Sequence, residues 1–170
     1  MSGVFDNKSE VSKAIKLVEC PRDAMQGWPH QISTENKIDY LNTLLKVGFD
    51  TLDFGSFVSP KAIPQMADTA LVVDKLNLEN IDTKLLAIVA NERGAQEAAD
   101  FDKITYLGFP FSISETFQQR NTNSGIAEAW ERVQKIQELV LANNKELVIY
   151  ISMGFGNPYG DIYNESLVYE

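Results

Sequence analysis

The sequence has 170 residues, of which 44% are hydrophobic and 23% are charged. This balance predicts one globular domain with a sizeable buried core, and it excludes both a disordered tail and a disulfide scaffold. The formal net charge of -9 argues against a nucleic-acid partner, because binding to phosphates depends on clustered lysine and arginine side chains.

The first half of the chain alternates strand-like and helix-like segments. Residues 15–20 have apolar side chains at alternate positions, which predicts the first strand. Between residues 34 and 48, apolar residues three and four positions apart predict a helix that Gly48 terminates. Residues 51–57 then predict a second strand, and residues 63–76 predict a second helix.

The same alternation continues to the end of the chain. Further strands are predicted at residues 84–90, 104–109 and 147–152, and further helices at residues 92–101 and 124–143. Five strands separated by helical crossovers indicate a parallel α/β sheet. At this stage a doubly wound sheet and a (β/α)8 barrel are both open.

Polar residues follow several of the predicted strands. In both architectures functional residues are concentrated at the carboxyl ends of the parallel strands. In chain order they are Arg22, Asp23, Gln26, Ser56, Asn121 and Tyr150. Cys20 is the only cysteine, which excludes an intrachain disulfide and favours a reducing compartment. Residues 1–8 lack a targeting pattern and no apolar run is long enough to span a bilayer, so we expect a cytoplasmic protein without membrane contact.

Two charged residues of this set, and a third inside a predicted strand, have a specific chemical meaning. Arg22 is a permanent cation that can stabilise an enolate, and the neighbouring carboxylate of Asp23 can bind a hard divalent metal. The alternative is a turn with a local ion pair. Asp53 lies inside an apolar strand, where an inward carboxylate needs a cationic partner or a metal. The alternative for Asp53 is a register that directs it outward.

Other residues carry weaker signals. His30 is the only histidine, and its Trp-Pro-His context favours a surface residue over a metal ligand. Phe109, Phe111 and Phe117 can flank a ligand or serve only in packing. The Gly-rich phosphate-binding motifs of nucleotide-binding α/β proteins are absent from the sequence, which disfavours a dinucleotide fold.

Two motifs together resemble the hydroxymethylglutaryl-CoA lyase family of metal-dependent barrels. They are Val-Glu-Cys-Pro-Arg-Asp at residues 18–23 and Ser-Phe-Val-Ser-Pro-Lys at residues 56–61. Further segments that resemble the family pattern lie at residues 114–115, 121–123, 150–152 and 156–159, in the same order as in the family. The resemblance implies an incomplete (β/α)8 TIM barrel, with about the first five βα units of a pyruvate-carboxyltransferase-like domain over residues 1–170.

The resemblance also implies roles for the polar residues. Arg22 would polarise the thioester carbonyl and hold the enolate, Asp53 would be a second catalytic residue, and Asp23 would bind Mg²⁺ or Mn²⁺. Substrate-binding residues would be Gln26, Ser56, Asn121 and Tyr150. The implied partner is an acyl-CoA, and the implied reaction is cleavage of 3-hydroxy-3-methylglutaryl-CoA to acetyl-CoA and acetoacetate.

The sequence also departs from the family pattern. Asp53 stands where the lyases usually carry glutamate, and Asn157 stands where cysteine is frequent, which leaves open another acyl-CoA substrate or a condensing activity. The His-x-His pair that completes the family's metal site is absent from this sequence, and a full barrel takes about 250 residues. We therefore expect an isolated chain without activity, either a fragment or a half-barrel that self-associates. A non-catalytic binding module is the alternative from another class.

Overall fold

The computed structural model describes residues 15–169, which form five strands and seven α-helices, with one or two helices after each strand. The strands are β1 (Val18–Glu19), β2 (Thr51–Ser56), β3 (Lys84–Ile88), β4 (Ile104–Ser112) and β5 (Glu146–Ser152). The helices are α1 (Pro21–Gln26), α2 (Thr34–Leu45), α3 (Thr69–Lys75), α4 (Glu92–Ala99), α5 (Glu115–Thr122), α6 (Ile126–Ala142) and α7 (Glu165–Tyr169). The expectation about residues 1–8 lies outside the described residues.

The strands pair in the order β1-β2-β3-β4-β5, and every neighbouring pair is parallel. A doubly wound sheet reverses its strand order at a switch point, whereas a barrel adds each strand beside the preceding one. The observed order therefore decides between the two predicted architectures. The sheet is a curled half-barrel that corresponds to the first five βα units of a TIM barrel.

The two faces of the sheet bury different side chains because successive residues of a strand point to opposite sides. Leu85 and Ala87 of β3 belong to the main core, which packs between the sheet and the helices. Leu86 and Ile88 of the same strand belong to a smaller cluster on the inner face. Gly108 lies between this cluster and Tyr150, where a Cβ atom would come within 2.7 Å of Ile88 and 2.9 Å of Tyr150.

The helices differ from the sequence prediction in three places. The segment after β1 is a short helix, α1, that begins at Pro21. The predicted helix over residues 63–76 is divided into a 3-10 turn at Pro64–Met66 and α3. Residues 115–122 form α5, in a segment where the sequence patterns predicted neither a helix nor a strand. Within residues 15–169, none of the helices has both the length and the apolar character that a membrane crossing requires.

A buried ion pair fixes α2 to the segment before α3. The side chain of Lys37 is only 2% exposed, and its Nζ donates to Asp68 Oδ1 at 2.7 Å and to the carbonyl oxygen of Gln65. Removing one member of a buried pair leaves the other charge without compensation.

We expect Lys37→Met to lower the free energy of unfolding by about 3 kcal/mol. Urea unfolding measures this change. The double variant Lys37→Met, Asp68→Leu should recover most of the loss, because no charge is then left unpaired. Arg93→Met is the matched control: it breaks an exposed pair with Glu97 and should cost less than about 1 kcal/mol. Equal losses in the two single variants would contradict the prediction.

Candidate functional site

A cavity of about 440 Å³ opens at the carboxyl ends of the strands. Five of the polar residues that the sequence singled out contribute to its lining: Arg22, Asp23, Gln26, Asn121 and Tyr150. They come from α1, α5 and β5, elements that are far apart in sequence. The remaining lining residues are Val58, Ile63, Ile88, Ala90, Pro110, Phe117, Thr122 and Ser152.

Arg22 is held in one orientation by three neighbours. Its Nε donates to Asp53 Oδ1 at 3.1 Å and its Nη2 donates to Asp53 Oδ2 at 2.7 Å. Its Nη1 donates to Asp23 Oδ1 at 3.1 Å and to Gln26 Oε1 at 3.2 Å. A guanidinium has five N–H donors. One N–H, on Nη2, therefore has no partner among residues 15–169 and is available to a ligand.

Asp53 lies behind Arg22 and is not part of the cavity lining. Its side chain is 0% exposed, so the inward register that the sequence left open is the observed one. The pairing of β2 with β3 shifts by one residue between Asp53 and Gly55, a local irregularity of the kind that re-aims side chains near functional sites. Both carboxylate oxygens of Asp53 accept hydrogen bonds from Arg22, so the ion pair is bidentate, a geometry that makes such pairs strong.

Burial affects the protonation of this pair and of its neighbours. Burial raises the pKa of Asp53 above its ordinary value, against the opposing hydrogen bond and charge of Arg22. Burial alone would lower the pKa of Arg22, but the hydrogen bond and charge of Asp53 outweigh it and the pKa rises. The guanidinium therefore keeps its positive charge throughout the physiological range.

Two neutral groups lie near the pair. Burial, followed by the charge of Asp53, raises the pKa of Tyr150 to about 12, so its phenol stays protonated and is a hydrogen-bond donor. Burial also raises the pKa of the Cys20 thiol above its ordinary value. A thiol that keeps its proton is a weaker nucleophile than a thiolate.

The other candidates from the sequence lie elsewhere. Ser56 is buried, its hydroxyl accepts from the backbone N–H of Val58 at 3.2 Å, and it lines a neighbouring smaller pocket instead of the cavity. His30 is exposed in the loop after α1. Phe109 is in the main core, whereas Phe117 contributes to the cavity.

Helix α5, which the sequence prediction missed, carries Phe117, Asn121 and Thr122 to the cavity. Gln118 is its only buried residue, so apolar burial contributes little to its attachment. Polar contacts take that role. The amide of Gln118 accepts from the Ser112 backbone N–H at 2.9 Å and donates to Thr122 Oγ1 at 2.7 Å.

The loop after β5 provides a second attachment for α5. The carboxylate of Asp161 accepts from the hydroxyl of Ser114, from the Thr116 backbone N–H at 3.0 Å and from Thr116 Oγ1 at 2.8 Å. These contacts lie at the N-terminus of α5, where the helix dipole also favours a negative charge. Hydrogen bonds from Ser114 and then Thr116 hold the pKa of Asp161 below its ordinary value of 3.8.

We expect Asp161→Asn to increase hydrogen exchange of the α5 amides while leaving the exchange of β2–β4 unchanged. Because the folded-state pKa is depressed, the contribution of Asp161 is complete above pH 3.8 and is lost as the pH falls through the lower folded value. Acidification should thus loosen α5 in the wild type and have less effect in Asp161→Asn. Asp39→Asn, an exposed change on α2, is the control. Unchanged α5 exchange in Asp161→Asn would rule out this attachment.

Residues 15–169 provide only part of a possible metal-binding site. Asp23 presents a carboxylate that is 75% exposed beside the cavity, and such oxygen donors suit Mg²⁺ or Mn²⁺. No group of three or more His, Cys, Asp and Glu side chains in this part of the chain could hold a metal ion. Asp23 therefore fits as one ligand of a cation whose other ligands would come from outside the described residues.

Comparison with known proteins gave consistent sequence matches. The chain is 33% identical over 152 residues to a 3-hydroxy-3-isohexenylglutaryl-CoA/hydroxymethylglutaryl-CoA lyase of Pseudomonas aeruginosa, covering 88% of this chain and 50% of the relative. It is 32% identical over 139 residues to a hydroxymethylglutaryl-CoA lyase of Bacillus subtilis, covering 82% of this chain and 46% of the relative. No protein-family model matches the chain.

Solved structures show the same correspondence. The crystal structure of the Bacillus subtilis HMG-CoA lyase superimposes with a TM-score of 0.86 at 30% identity, covering 92% of this chain and 52% of the other. An HMG-CoA lyase of Acinetobacter baumannii in complex with coenzyme A and 3-methylmalate gives a TM-score of 0.84 at 28% identity, covering 91% and 50%. The chain thus spans about half the length of the relatives that it matches.

Proposed function

We propose that this chain, a homologue of the N-terminal half of hydroxymethylglutaryl-CoA lyases, supplies the carbonyl-polarising side of an active site that cleaves 3-hydroxy-3-methylglutaryl-CoA. The observation that carries the proposal is the fixed guanidinium of Arg22 at the cavity, with one N–H free of partners among the described residues. The products would be acetyl-CoA and acetoacetate.

The chemistry that we assign to this geometry is a retro-Claisen cleavage. The substrate hydroxyl loses its proton to a base, the C2–C3 bond breaks, and its electron pair moves onto the thioester as an enolate. Acetoacetate leaves, and protonation of the enolate carbon gives acetyl-CoA. A preorganised cation beside the developing enolate oxygen stabilises the transition state more than the ground state, which is the condition for faster cleavage.

The neighbours of Arg22 would divide the remaining tasks. Asp53 would hold the guanidinium without touching substrate, because Arg22 covers both of its oxygens. Tyr150 and Asn121 would donate hydrogen bonds to substrate from the cavity wall. Asp23 would hold a divalent cation together with ligands from outside the described residues. Such a cation, when bound, would supply Lewis-acid chemistry to the substrate.

The test uses this chain supplemented by the part of the Bacillus subtilis lyase that it does not cover, which we call the reconstituted enzyme. We expect acetoacetate release from 3-hydroxy-3-methylglutaryl-CoA with Mg²⁺ or Mn²⁺, and none from the isolated chain. As a measurement that does not depend on reconstitution, ¹⁵N NMR should show the Arg22 Nε–H signal shifting when the acyl-CoA is added to the chain alone. No release and no shift would reject the proposal.

We further propose that the isolated chain self-associates through the edge of β5 that pairs with no other strand among residues 15–169. The side chains of Ile149 and Ile151 face outward from this strand and are 37% and 50% exposed. An unpaired strand edge with exposed apolar residues is a site for association with another chain.

Ile151→Lys should shift the chain toward monomer in sedimentation experiments, because a charged side chain on an edge strand opposes pairing. Leu71→Lys is the matched control, since Leu71 is 65% exposed on α3, away from the strand edge. A wild-type chain that sediments as a monomer at all concentrations would exclude the association.

A further inference from the structure

The side chain of Tyr150 lies between two hollows of the half-barrel. It contributes to the cavity at the carboxyl ends of the strands, and it also lines a groove of about 430 Å³ on the inner face of the sheet. The groove is mostly apolar, and Val18, Leu86 and Val148 contribute to its lining. The position of the Tyr150 ring therefore sets the boundary between the cavity and the groove, and with it the place of the phenol hydroxyl.

Gly108 of β4 provides the space that this ring occupies. In the pairing of β4 with β5, Gly108 lies opposite Val148, and Tyr150 follows two residues later on the same face of the sheet. A Cβ atom at residue 108 would come within 2.9 Å of Tyr150 Cε2, 2.7 Å of Ile88 Cδ1 and 3.0 Å of Leu86 Cδ2. Carbon atoms in contact are ordinarily about 3.5–4.0 Å apart. Any side chain at residue 108 would therefore displace a neighbour.

Glycine supplies space at this position and is not required by the backbone conformation. The φ angle of Gly108 is outside the left-handed region that favours glycine. A glycine inside a strand weakens the strand, so the room that it leaves for the ring is the compensating gain. Ile88 and Leu86 end in methyl groups that can turn away by a change of rotamer, whereas the ring of Tyr150 moves as a whole and carries its hydroxyl with it.

We infer that Gly108 is a positioning residue for Tyr150: because it has no side chain, the ring lies where its hydroxyl can donate a hydrogen bond to the acyl-CoA. This inference rests on the proposed function, since it assumes that the phenol serves that ligand. The hydroxyl keeps its proton at neutral pH, because burial raises the pKa of Tyr150 to about 12. Loss of one hydrogen bond of this kind weakens binding about fivefold.

A double-mutant cycle tests whether Gly108 acts through Tyr150. We expect Gly108→Ala and Tyr150→Phe each to lower kcat/KM of the reconstituted enzyme about fivefold. The double variant should also lose only about fivefold, because the hydroxyl that Gly108 positions is already absent. Independent effects would multiply to about 25-fold. NMR titration of the isolated chain with 3-hydroxy-3-methylglutaryl-CoA should give the same ratios in Kd.

The ionisation of Tyr150 is a readout that a loss of stability alone would not change. At pH 10 the wild-type phenol should be protonated, because its pKa is about 12. In Gly108→Ala a ring displaced toward water should be about half ionised at pH 10, the ordinary pKa of tyrosine. The ¹³Cζ signal, assigned by its absence in Tyr150→Phe, measures this. Gly55→Ala is the matched control: its Cβ would lie 2.6 Å from Thr69 Cγ2, on the helix side of β2, and should leave the Tyr150 signal unchanged.

A second variant carries the same test if Gly108→Ala does not fold. Gly108→Ala, Ile88→Val removes the atom of the shortest contact and keeps the overlap with the ring. Unchanged ionisation of Tyr150 in these variants, or a 25-fold loss in the double variant with Tyr150→Phe, overturns this inference and leaves the proposed function intact. Absence of acyl-CoA binding and cleavage in the wild type overturns the proposed function and this inference with it.

Discussion

Arg22→Met should lower kcat of the reconstituted enzyme by about 10²–10³-fold, the usual effect of removing one preorganised donor from a developing oxyanion. Arg22→Lys should be nearly as inactive. An ammonium keeps the positive charge, but it lacks the planar set of donors that engages Asp53, Asp23 and Gln26 together. Acetoacetate release at saturating acyl-CoA measures the change.

The same substitution has a separate effect on stability. Without Arg22, the 0% exposed carboxylate of Asp53 is left unpaired, which should cost about 3–5 kcal/mol near neutral pH. Burial already raises the pKa of Asp53 above 3.8, and loss of the cation raises it further. A raised folded-state pKa gives stability at low pH that is lost as the pH rises through that value.

The stability of Arg22→Met should therefore decrease, relative to wild type, as the pH rises above 3.8. Urea unfolding at several pH values measures it, and Arg22→Met, Asp53→Leu should lack this pH dependence. Lys16→Met, which removes an exposed partner of Asp50, is the control for loss of a cation. Full activity in Arg22→Met would show that Arg22 does not stabilise the enolate, whatever the result of the stability measurement.

Asp53→Asn should lower kcat of the reconstituted enzyme by about 10²-fold with little change in KM, because a small misplacement of a catalytic group has effects of this size. Asparagine has nearly the same shape as aspartate but carries no charge, so Arg22 loses its two-point anchor. Asp53→Glu keeps the charge on a longer side chain and should retain activity within about tenfold of wild type.

A second measurement separates positioning from a purely structural role. In the wild-type chain the Nε–H of Arg22 donates to Asp53 Oδ1, so its NMR signal should exchange slowly with water. In Asp53→Asn that exchange should accelerate, while Asp53→Glu should restore the protection. Asp50→Asn, immediately before the same strand, is the control. Rapid exchange in the wild type, or full kcat in Asp53→Asn, would show that Asp53 does not position Arg22.

Much of the architecture was predictable because the strands carry strong local signals. The nearly continuous apolar run at residues 84–90 follows directly from burial of both faces of β3, and β2 is likewise buried along its whole length. The choice between doubly wound sheet and barrel was not predictable from these patterns. It depends on strand order, which is a property of long-range packing.

Site residues that directly follow a strand could be predicted from the sequence. Site residues that lie on an additional helix were harder to predict. Arg22 and Tyr150 meet at one cavity because parallel strands end at the same edge of the sheet. Helix α5 was missed because its sequence is polar and buries only Gln118, so it has no apolar periodicity to detect. Asp161 was missed for a related reason, since its partners Ser114 and Thr116 are 45 residues or more away in sequence.

The polar attachment of α5 also bears on how this protein can diverge. Because hydrogen bonds rather than apolar burial hold α5, the sheet and its main core depend little on which side chains this helix turns toward the cavity. Mutations at Phe117 or Asn121 can therefore accumulate at small cost to folding. The lining of the cavity can therefore change over evolutionary time on a scaffold that stays the same, provided that Asp161 and Gln118 are retained.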